Sequence, residues 1–253
     1  MQATYQVINM QIKANAITVV ALCFLIGLSV FSVTWQFKPG SDVDRDVLFQ
    51  LAAFNTFSLG NYAGTMSYSD LSQKGDFGIG TFDGLDGEMI ALNGVFYQIL
   101  SDGAPKEASS TQTAPYATVT FFEVDQAFSV SSFNYTQLKA FLDEKLTSKD
   151  VIYAVKVTGI FDWAQTRSPQ KQVVPYPNIT EALKTQAVFS LSNVSASSVG
   201  FWFPPSMDGV DYSGYHLHLI TEDRTAGGHL LDCIIHNAIV EIDQINRYEL
   251  VLP

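Results

Sequence analysis

The arrangement of apolar and polar residues along the chain predicts β-strands more often than helices. Residues 215–220 alternate between the two faces of a strand, and the apolar run 230–235 follows a polar turn that ends in Gly227 and Gly228. Together the two runs predict a β-hairpin in the second half of the chain. Residues 75–94 contain two short alternating runs between glycines and predict an earlier hairpin.

The remaining predicted elements complete an α+β fold. Further strands are predicted at residues 95–100, 116–124, 128–133, 152–161, 187–191 and 199–205. Apolar residues at helical spacing predict short helices at residues 48–59, 69–74, 136–148 and 181–186. A stretch rich in Ser, Thr, Ala and Pro predicts a surface loop at residues 102–115. We therefore expect mixed or antiparallel β-sheets with a few packed helices.

An apolar segment near the N-terminus has a different character. Residues 16–33 carry no charge and lie between Lys13 and Lys38. A helix of this length is close to the lower limit for crossing a bilayer, and the segment also resembles a long signal-peptide core. We predict that residues 1–37 are a signal peptide or an N-terminal membrane anchor, so that residues 38–253 work outside the cytosol, either secreted or periplasmic or held at the membrane.

Composition and charge limit the kinds of partner. The 253-residue chain is 47% hydrophobic, enough to bury a sizeable core, and its net charge of −11 argues against binding nucleic acid, which requires a basic surface. A small anion can still bind where one or two cations line a concave site. Cys23 lies in the N-terminal apolar segment, so Cys233 has no partner for a disulfide within the predicted domain.

All four histidines lie within one stretch of the second half. On a strand, His216 and His218 project from the same face, and the following turn carries His229 back toward them. Three neutral imidazoles suit Zn²⁺ or another borderline divalent metal and leave coordination positions open for substrate or water. His236 follows His229 by seven residues, an odd interval that turns it to the other face, so we exclude it from the site.

Two other positions could carry chemistry. Asp86 and Glu88 are two residues apart and could share one face of a strand beside apolar residues. A carboxyl group in such a place can act as a general acid or base, because burial raises its pKa, although a solvated residue at a sheet edge has the same pattern. Arg167 lies in the short polar segment 162–169. Its guanidinium is well shaped to bind a carboxylate, although an arginine there is ordinarily a surface charge.

Three separate motifs resemble the alpha-acetolactate decarboxylase family. They are Gly75-Asp-Phe-Gly-Ile-Gly-Thr-Phe-Asp-Gly-Leu-Asp-Gly-Glu88, Gly214-Tyr-His-Leu-His218 and Gly227-Gly-His-Leu-Leu-Asp232. The resemblance extends from about Leu48 to about Asn246. It implies that residues 38–253 form an acetolactate-decarboxylase-like domain with two intimate subdomains, and that the protein forms a homodimer.

The resemblance also implies a function and assigns residues to it. In that family three histidines hold zinc, which by position implies His216, His218 and His229. The activity implied is that of a carboxy-lyase that converts 2-acetolactate, a 2-hydroxy-3-keto acid, to acetoin and CO₂, with the metal as Lewis acid on the chelated substrate. Glu88 is implied as the catalytic carboxylate and Arg167 as a cation that contacts the substrate. Thr81 is a weaker candidate, implied to hold the substrate or a zinc-bound water.

One feature departs from the family pattern. The resemblance implies a C-terminal tail that contributes a further active-site glutamate, whereas this sequence ends at Pro253. Glu249 lies among the last residues, and the pattern around it does not assign it that part. The activity of this chain is therefore the point that an experiment has to settle.

Two alternatives stay open at this level. The spacing His216-x-His218-x-x-x-Glu222 resembles the first metal motif of the cupins, with Glu222 as a fourth ligand. Against it, no Pro-x-Gly precedes His229, and Val210 stands where that motif requires glycine. The second alternative is an exported binding protein that keeps the same fold and metal but does not turn over its ligand. A measurement of turnover separates it from the enzyme.

Overall fold

Two β-sheets contain most of the regular structure in the computed structural model, which describes residues 45–253. The strands are β1 (Val47–Leu51), β2 (Met66–Ser67), β3 (Phe77–Thr81), β4 (Glu88–Leu92), β5 (Val95–Ile99), β6 (Pro105–Glu107), β7 (Thr113–Ala114), β8 (Tyr116–Thr120), β9 (Gln126–Asn134), β10 (Ile152–Ser168), β11 (Ala187–Phe203), β12 (Gly214–Thr221), β13 (Gly227–Ile245) and β14 (Arg247–Val251). The helices are α1 (Phe54–Ser58), α2 (Tyr68–Leu71), α3 (Tyr135–Lys145) and α4 (Ile179–Ala182), with 3₁₀ turns at Leu183–Thr185 and Pro205–Met207.

The predicted signal or anchor segment, residues 1–37, lies outside the described residues and stays a prediction. Among residues 45–253, no helix is long and apolar enough to cross a membrane.

The first sheet has seven strands in the order β14-β1-β8-β3-β4-β5-β6. Its neighbours are antiparallel, except that β14 runs parallel to β1. Strands β3 and β4 form the early hairpin that the glycine-rich sequence predicts. Their register sets Thr81 opposite Glu88, so two of the predicted site residues are neighbours across this hairpin.

The second sheet is antiparallel and has the order β10-β11-β12-β13-β9. Strand β10 also pairs with β13, so β10, β11, β12 and β13 close into a ring of hydrogen-bonded neighbours. In this ring His218 on β12 pairs with His229 on β13, and His229 pairs in turn with Arg167 on β10. The predicted β-hairpin with His218 and His229 is thus formed, and the long strand β10 places Arg167 next to His229.

The two sheets share an apolar layer. Phe77, Ile79 and Ile90 of the first sheet pack with Val199 and Phe201 of the second in one cluster of buried side chains. The two subdomains implied by the family resemblance correspond to these two sheets, which share a core within the single unit of residues 44–253. Burial of large apolar side chains contributes roughly 1.5–3 kcal/mol for each residue, so this layer fixes one sheet against the other.

Helices cover the sheets at two places. Leu138 and Leu142 of α3 are buried against the apolar face of the second sheet. The helix begins with a capping box, in which Asn134 and Gln137 bond each other's backbone N–H groups. Helices α1 and α4 lie close together and contribute Phe57 and Ala182 to a smaller cluster with Tyr116.

Several predictions of helices, strands and loops are wrong. Residues 48–59 do not form one helix, since Val47–Leu51 is strand β1 and only Phe54–Ser58 is helical. Strand β1 lies between β8 and β14 and is buried on both faces, so its side chains do not alternate in polarity and the sequence mimics a helix. The predicted loop at residues 102–115 contains the short strands β6 and β7.

The second sheet contains longer strands than the sequence predicts. The polar segment 162–169 continues strand β10 as far as Ser168. The predicted strands 187–191 and 199–205 belong to one strand, β11. Polar residues such as Gln165, Ser190 and Asn193 interrupt the apolar pattern of these strands, so the sequence alone does not predict their full length.

A close approach of two backbones beside the histidines gives a test of this packing. Gly200 on β11 lies opposite Leu217, and a Cβ atom at Gly200 would overlap the carbonyl oxygen of His216. We expect Gly200→Ala to lower the free energy of unfolding by about 2 kcal/mol, measured by chemical denaturation. Ser192→Ala, an exposed position on the same strand, is the control and should change it by less than about 0.5 kcal/mol. Equal stability of the two variants would contradict the described pairing of β11 with β12.

Candidate active site

The three predicted histidines converge at one place. The ring centroids lie 5.2 Å apart for His216 and His218, 5.0 Å for His216 and His229, and 5.3 Å for His218 and His229. One ring nitrogen from each lies within 4.8 Å of those of the other two, so together they could hold a metal ion. Strand alternation sets His216 and His218 on one face, and the pairing of β12 with β13 brings in the third.

Hydrogen bonding fixes the protonation of one ring. The Nδ1 atom of His218 lies 2.9 Å from the carbonyl oxygen of Met89 on β4. A carbonyl oxygen can only accept a hydrogen bond, so Nδ1 carries the ring's proton and donates the hydrogen bond to Met89. In the neutral ring Nε2 then has a free lone pair, and this atom is buried with no hydrogen-bond partner. A histidine that binds a metal commonly donates its other nitrogen to a carbonyl in this manner.

Burial keeps all three rings neutral. It lowers the pKa of His216 to about 3 and holds the pKa of His218 and His229 well below its usual range, and the positive charge of Arg167 lowers all three pKa values further as a smaller cause. The Nδ1 atom of His216 is also buried without a partner. Buried, unpartnered nitrogen atoms cost free energy, and a cation among them would remove that cost. The cluster therefore fits a metal ion in both its ligand set and its protonation.

A carboxyl group lies beside these rings. Glu88 is the first residue of β4, next to Met89, and its Oε2 atom lies 3.6 Å from Nε2 of His218. The residue is only 8% exposed. Burial raises the pKa of Glu88 to about 7, and the positive charge of Arg167 partly opposes that rise. Near neutral pH this group is thus able both to give and to take a proton.

Arg167 lines the same cavity, where the sequence also allowed a surface position. Its Nη1 atom donates to Oε1 of Gln186 at 3.0 Å, and its Nε atom is buried without a partner. No carboxylate among residues 45–253 forms an ion pair with it. The guanidinium thus keeps its charge available to a ligand in the cavity.

Thr81 lines the cavity across the hairpin from Glu88. Its hydroxyl donates to the carbonyl oxygen of Gly87 at 2.6 Å. The hydroxyl proton is therefore in use, and the oxygen can offer a ligand only an acceptor. The role predicted for Thr81, which is to hold the substrate or a water, stays a prediction of this more limited kind.

The apolar wall of the cavity was not predicted from the sequence. The cavity has a volume of about 210 Å³. The side chains that form this wall come from separate parts of the chain and are Phe54, Phe57, Leu85, Tyr116, Pro169, Ile179, Leu183 and Tyr212. Tyr212 also packs edge-on against the ring of His216 at 5.7 Å. No local pattern marks these residues, because each looks like an ordinary core or loop residue until the fold assembles them.

Other residues considered in the sequence lie elsewhere. His236 is exposed and lies 3.3 Å from Asp162. Glu222, the fourth ligand required by the cupin interpretation, accepts a hydrogen bond from Ser197 and is not part of the histidine group. Glu249 on β14 forms an exposed ion pair with Lys74 at 3.1 Å. Asp86 does not share the strand face of Glu88 and lies near Lys171.

A small acid entering this cavity would meet a cation, a proton-transfer group and three metal ligands, all within an apolar enclosure. That combination is typical of metal-assisted enzymes that act on small carboxylic acids. Comparison with known proteins narrows the class. Residues 48–253 match the family described as alpha-acetolactate decarboxylase, and the chain belongs to this family of carboxy-lyases.

Individual relatives agree with this assignment and confirm the family and fold class predicted from the sequence. The alpha-acetolactate decarboxylase of Methanosarcina mazei is 46% identical over 82% of this chain and 73% of its own. That of Brevibacillus brevis is 37% identical over 95% of this chain and 90% of its own. The crystal structure of alpha-acetolactate decarboxylase from Bacillus subtilis strain 168 superimposes with a TM-score of 0.80 at 35% identity, covering 82% and 89% of the two chains.

The histidine cluster leads to a prediction about metal content. We expect the purified protein to bind one divalent metal ion per chain and His216→Ala to bind none, because two imidazoles leave the ion underliganded. Elemental analysis after dialysis measures the ratio. His236→Ala removes an exposed histidine of β13, the strand that also carries His229, and should keep one ion per chain. Equal metal content in both variants would show that the cluster does not hold the ion.

Proposed function

We propose that this protein is a zinc-dependent acetolactate decarboxylase, which converts 2-acetolactate to acetoin and CO₂. The observation that supports this most strongly is the convergence of the three neutral histidines, Glu88 and Arg167 on one cavity, in a chain of the alpha-acetolactate decarboxylase family. Three imidazoles that leave open positions are a ligand set typical of catalytic zinc.

His216, His218 and His229 would hold the metal. When bound, zinc supplies Lewis-acid stabilisation of the negative charge that develops on the substrate's oxygen atoms. The hydrogen bond from His218 to Met89 keeps one ring in the tautomer that this role requires. The low pKa values of the rings keep protons from competing for the nitrogen atoms at neutral pH.

Arg167 orients the carboxylate of the substrate. A guanidinium can donate two parallel hydrogen bonds to a carboxylate, which fixes the bond to be broken relative to the rest of the molecule. That carbon–carbon bond breaks, CO₂ departs without charge, and the electron pair stays with the carbon skeleton as an enediolate. The apolar wall formed by Phe57, Tyr116 and Leu183 holds the substrate's methyl groups and excludes water.

Glu88 delivers the proton that completes the reaction. Its carboxyl group, with a pKa raised to about 7, is protonated in a substantial fraction of molecules at neutral pH, and in that form it transfers its proton to the carbon that carried the carboxylate. Acetoin is then released, and Glu88 takes a new proton from solvent. Delivery from a group fixed on β4 reaches one face of the enediolate, so the product would be chiral.

The first test is turnover. We expect the zinc-loaded protein to release acetoin from racemic 2-acetolactate and His216→Ala to release none above the uncatalysed rate, because the ligand set is broken. Colorimetric detection of acetoin over time measures both. A folded, zinc-loaded protein that produced no acetoin would contradict the proposed function and favour a binding protein of the same fold.

A second prediction isolates the proton donor. Glu88→Gln should keep its zinc and lose turnover by about 100-fold or more, because the amide cannot deliver a proton. Asp86→Asn is the matched control, since Asp86 lies two residues away, outside the cavity lining. The variants are compared by kcat and by metal content. A Glu88→Gln variant with the kcat of the parent would show that Glu88 is structural.

A further inference from the structure

The side chain that accepts a hydrogen bond from Arg167 is a neutral amide, although a carboxylate would bind a guanidinium more strongly. We propose that Gln186 is a positioning residue, which orients Arg167 toward the cavity while leaving its charge available to the carboxylate of the ligand. The inference deepens the proposed function and rests on it for the identity of the substrate. It concerns the selectivity of the site for acids.

The contacts of Arg167 support this role. The hydrogen bond from Nη1 to Oε1 of Gln186, at 3.0 Å, is its one side-chain hydrogen bond among residues 45–253. The buried Nε atom has no partner, so donor groups of the guanidinium remain available. Among the residues that line the cavity, Glu88 carries the only carboxyl group, and its ion-pair contact is with His218 and not with Arg167. A ligand carboxylate would therefore meet little competition for the cation.

The backbone holds Gln186 in place for this contact. Its N–H group donates to the carbonyl oxygen of Leu183, which closes the 3₁₀ turn before β11. The register of β10 with β11 then pairs Arg167 with Val188, two residues further on. Ile179 and Leu183, just before Gln186, lie in the cavity wall. The segment that covers the cavity thus also fixes the acceptor that orients the arginine.

Replacing the amide by a carboxylate separates orientation from charge. Glutamate has the shape of glutamine and keeps an acceptor at the same place, so Gln186→Glu preserves the contact with Arg167. Its negative charge would form a charge-assisted pair with the guanidinium, which is roughly twice as strong as a neutral hydrogen bond. The introduced carboxylate would then compete directly with the substrate's carboxylate.

We expect Gln186→Glu to raise KM for 2-acetolactate at least tenfold with a smaller change in kcat. Gln186→Leu loses the acceptor but leaves the charge free, so its KM should lie between those of the parent and Gln186→Glu. A purely structural role predicts the reverse order, because the leucine variant loses the hydrogen bond and the glutamate variant keeps it. Gln170→Glu adds the same charge at an exposed position just after β10 and should leave KM unchanged.

Binding of two unreactive probes to the zinc-loaded protein, measured by calorimetry, tests the inference without turnover. The probes are 2-hydroxy-2-methylpropanoate, which has the carboxylate but no ketone, and 2,3-butanediol, which has no carboxylate. Gln186→Glu should weaken binding of the acid at least tenfold and leave that of the diol unchanged. Unchanged binding of the acid, or an equal loss for both probes, would overturn the inference. Selective loss of the acid in a protein that makes no acetoin would support the inference and refute the proposed reaction.

Discussion

The hydrogen bond from His218 to the carbonyl oxygen of Met89 joins the two sheets where the chemistry is expected. His218 belongs to the ring of long strands in the second sheet, and Met89 belongs to the first. Because Glu88 precedes Met89 on the same strand, one contact sets both the tautomer of His218, a candidate metal ligand, and the place of the carboxyl group beside it. The shared apolar layer of Phe77, Ile79 and Phe201 keeps the two strands at the separation that this bond needs.

One physical cause, the removal of water, has opposite effects on the titratable groups of this cavity. Desolvation disfavours charge, so it lowers the pKa of the histidines and raises that of Glu88. Neutral imidazoles are the form that binds a metal, and a protonated carboxyl group is the form that can deliver a proton. The guanidinium of Arg167 adds a positive charge to the lining of the same cavity.

The parts of the site that sequence could predict are those created by short-range geometry. His216, His218 and His229 follow from alternation along one strand and a turn into the next. Arg167 is different, because its place beside His229 depends on the pairing of β10 with β13, strands that lie far apart in the sequence. The local sequence pattern was compatible with Arg167 as a surface charge or as a residue that contacts a ligand. Only the family resemblance favoured the contact with a ligand.

The misassigned elements have the same origin. Strand β1 is buried on both faces, so Leu48 and Phe49 carry no alternating signal that would distinguish a strand from a helix. The aromatic wall could not be predicted either, since Phe57 and Tyr116 meet only when α1 packs on β8. Gln186 has no chemical signature in the sequence, and only its contact with Arg167 gives it a possible role.

A half-buried arginine without a carboxylate partner has a consequence for the stability of the whole domain. An uncompensated cation beside buried, unpartnered nitrogen atoms is unfavourable in the folded state, so the domain is less stable than one in which an apolar cluster filled the same space. Ligands that neutralise these groups bind only the folded chain, and by mass action they shift the balance between folded and unfolded molecules. The conformational stability of this protein is therefore coupled to the occupancy of this cavity.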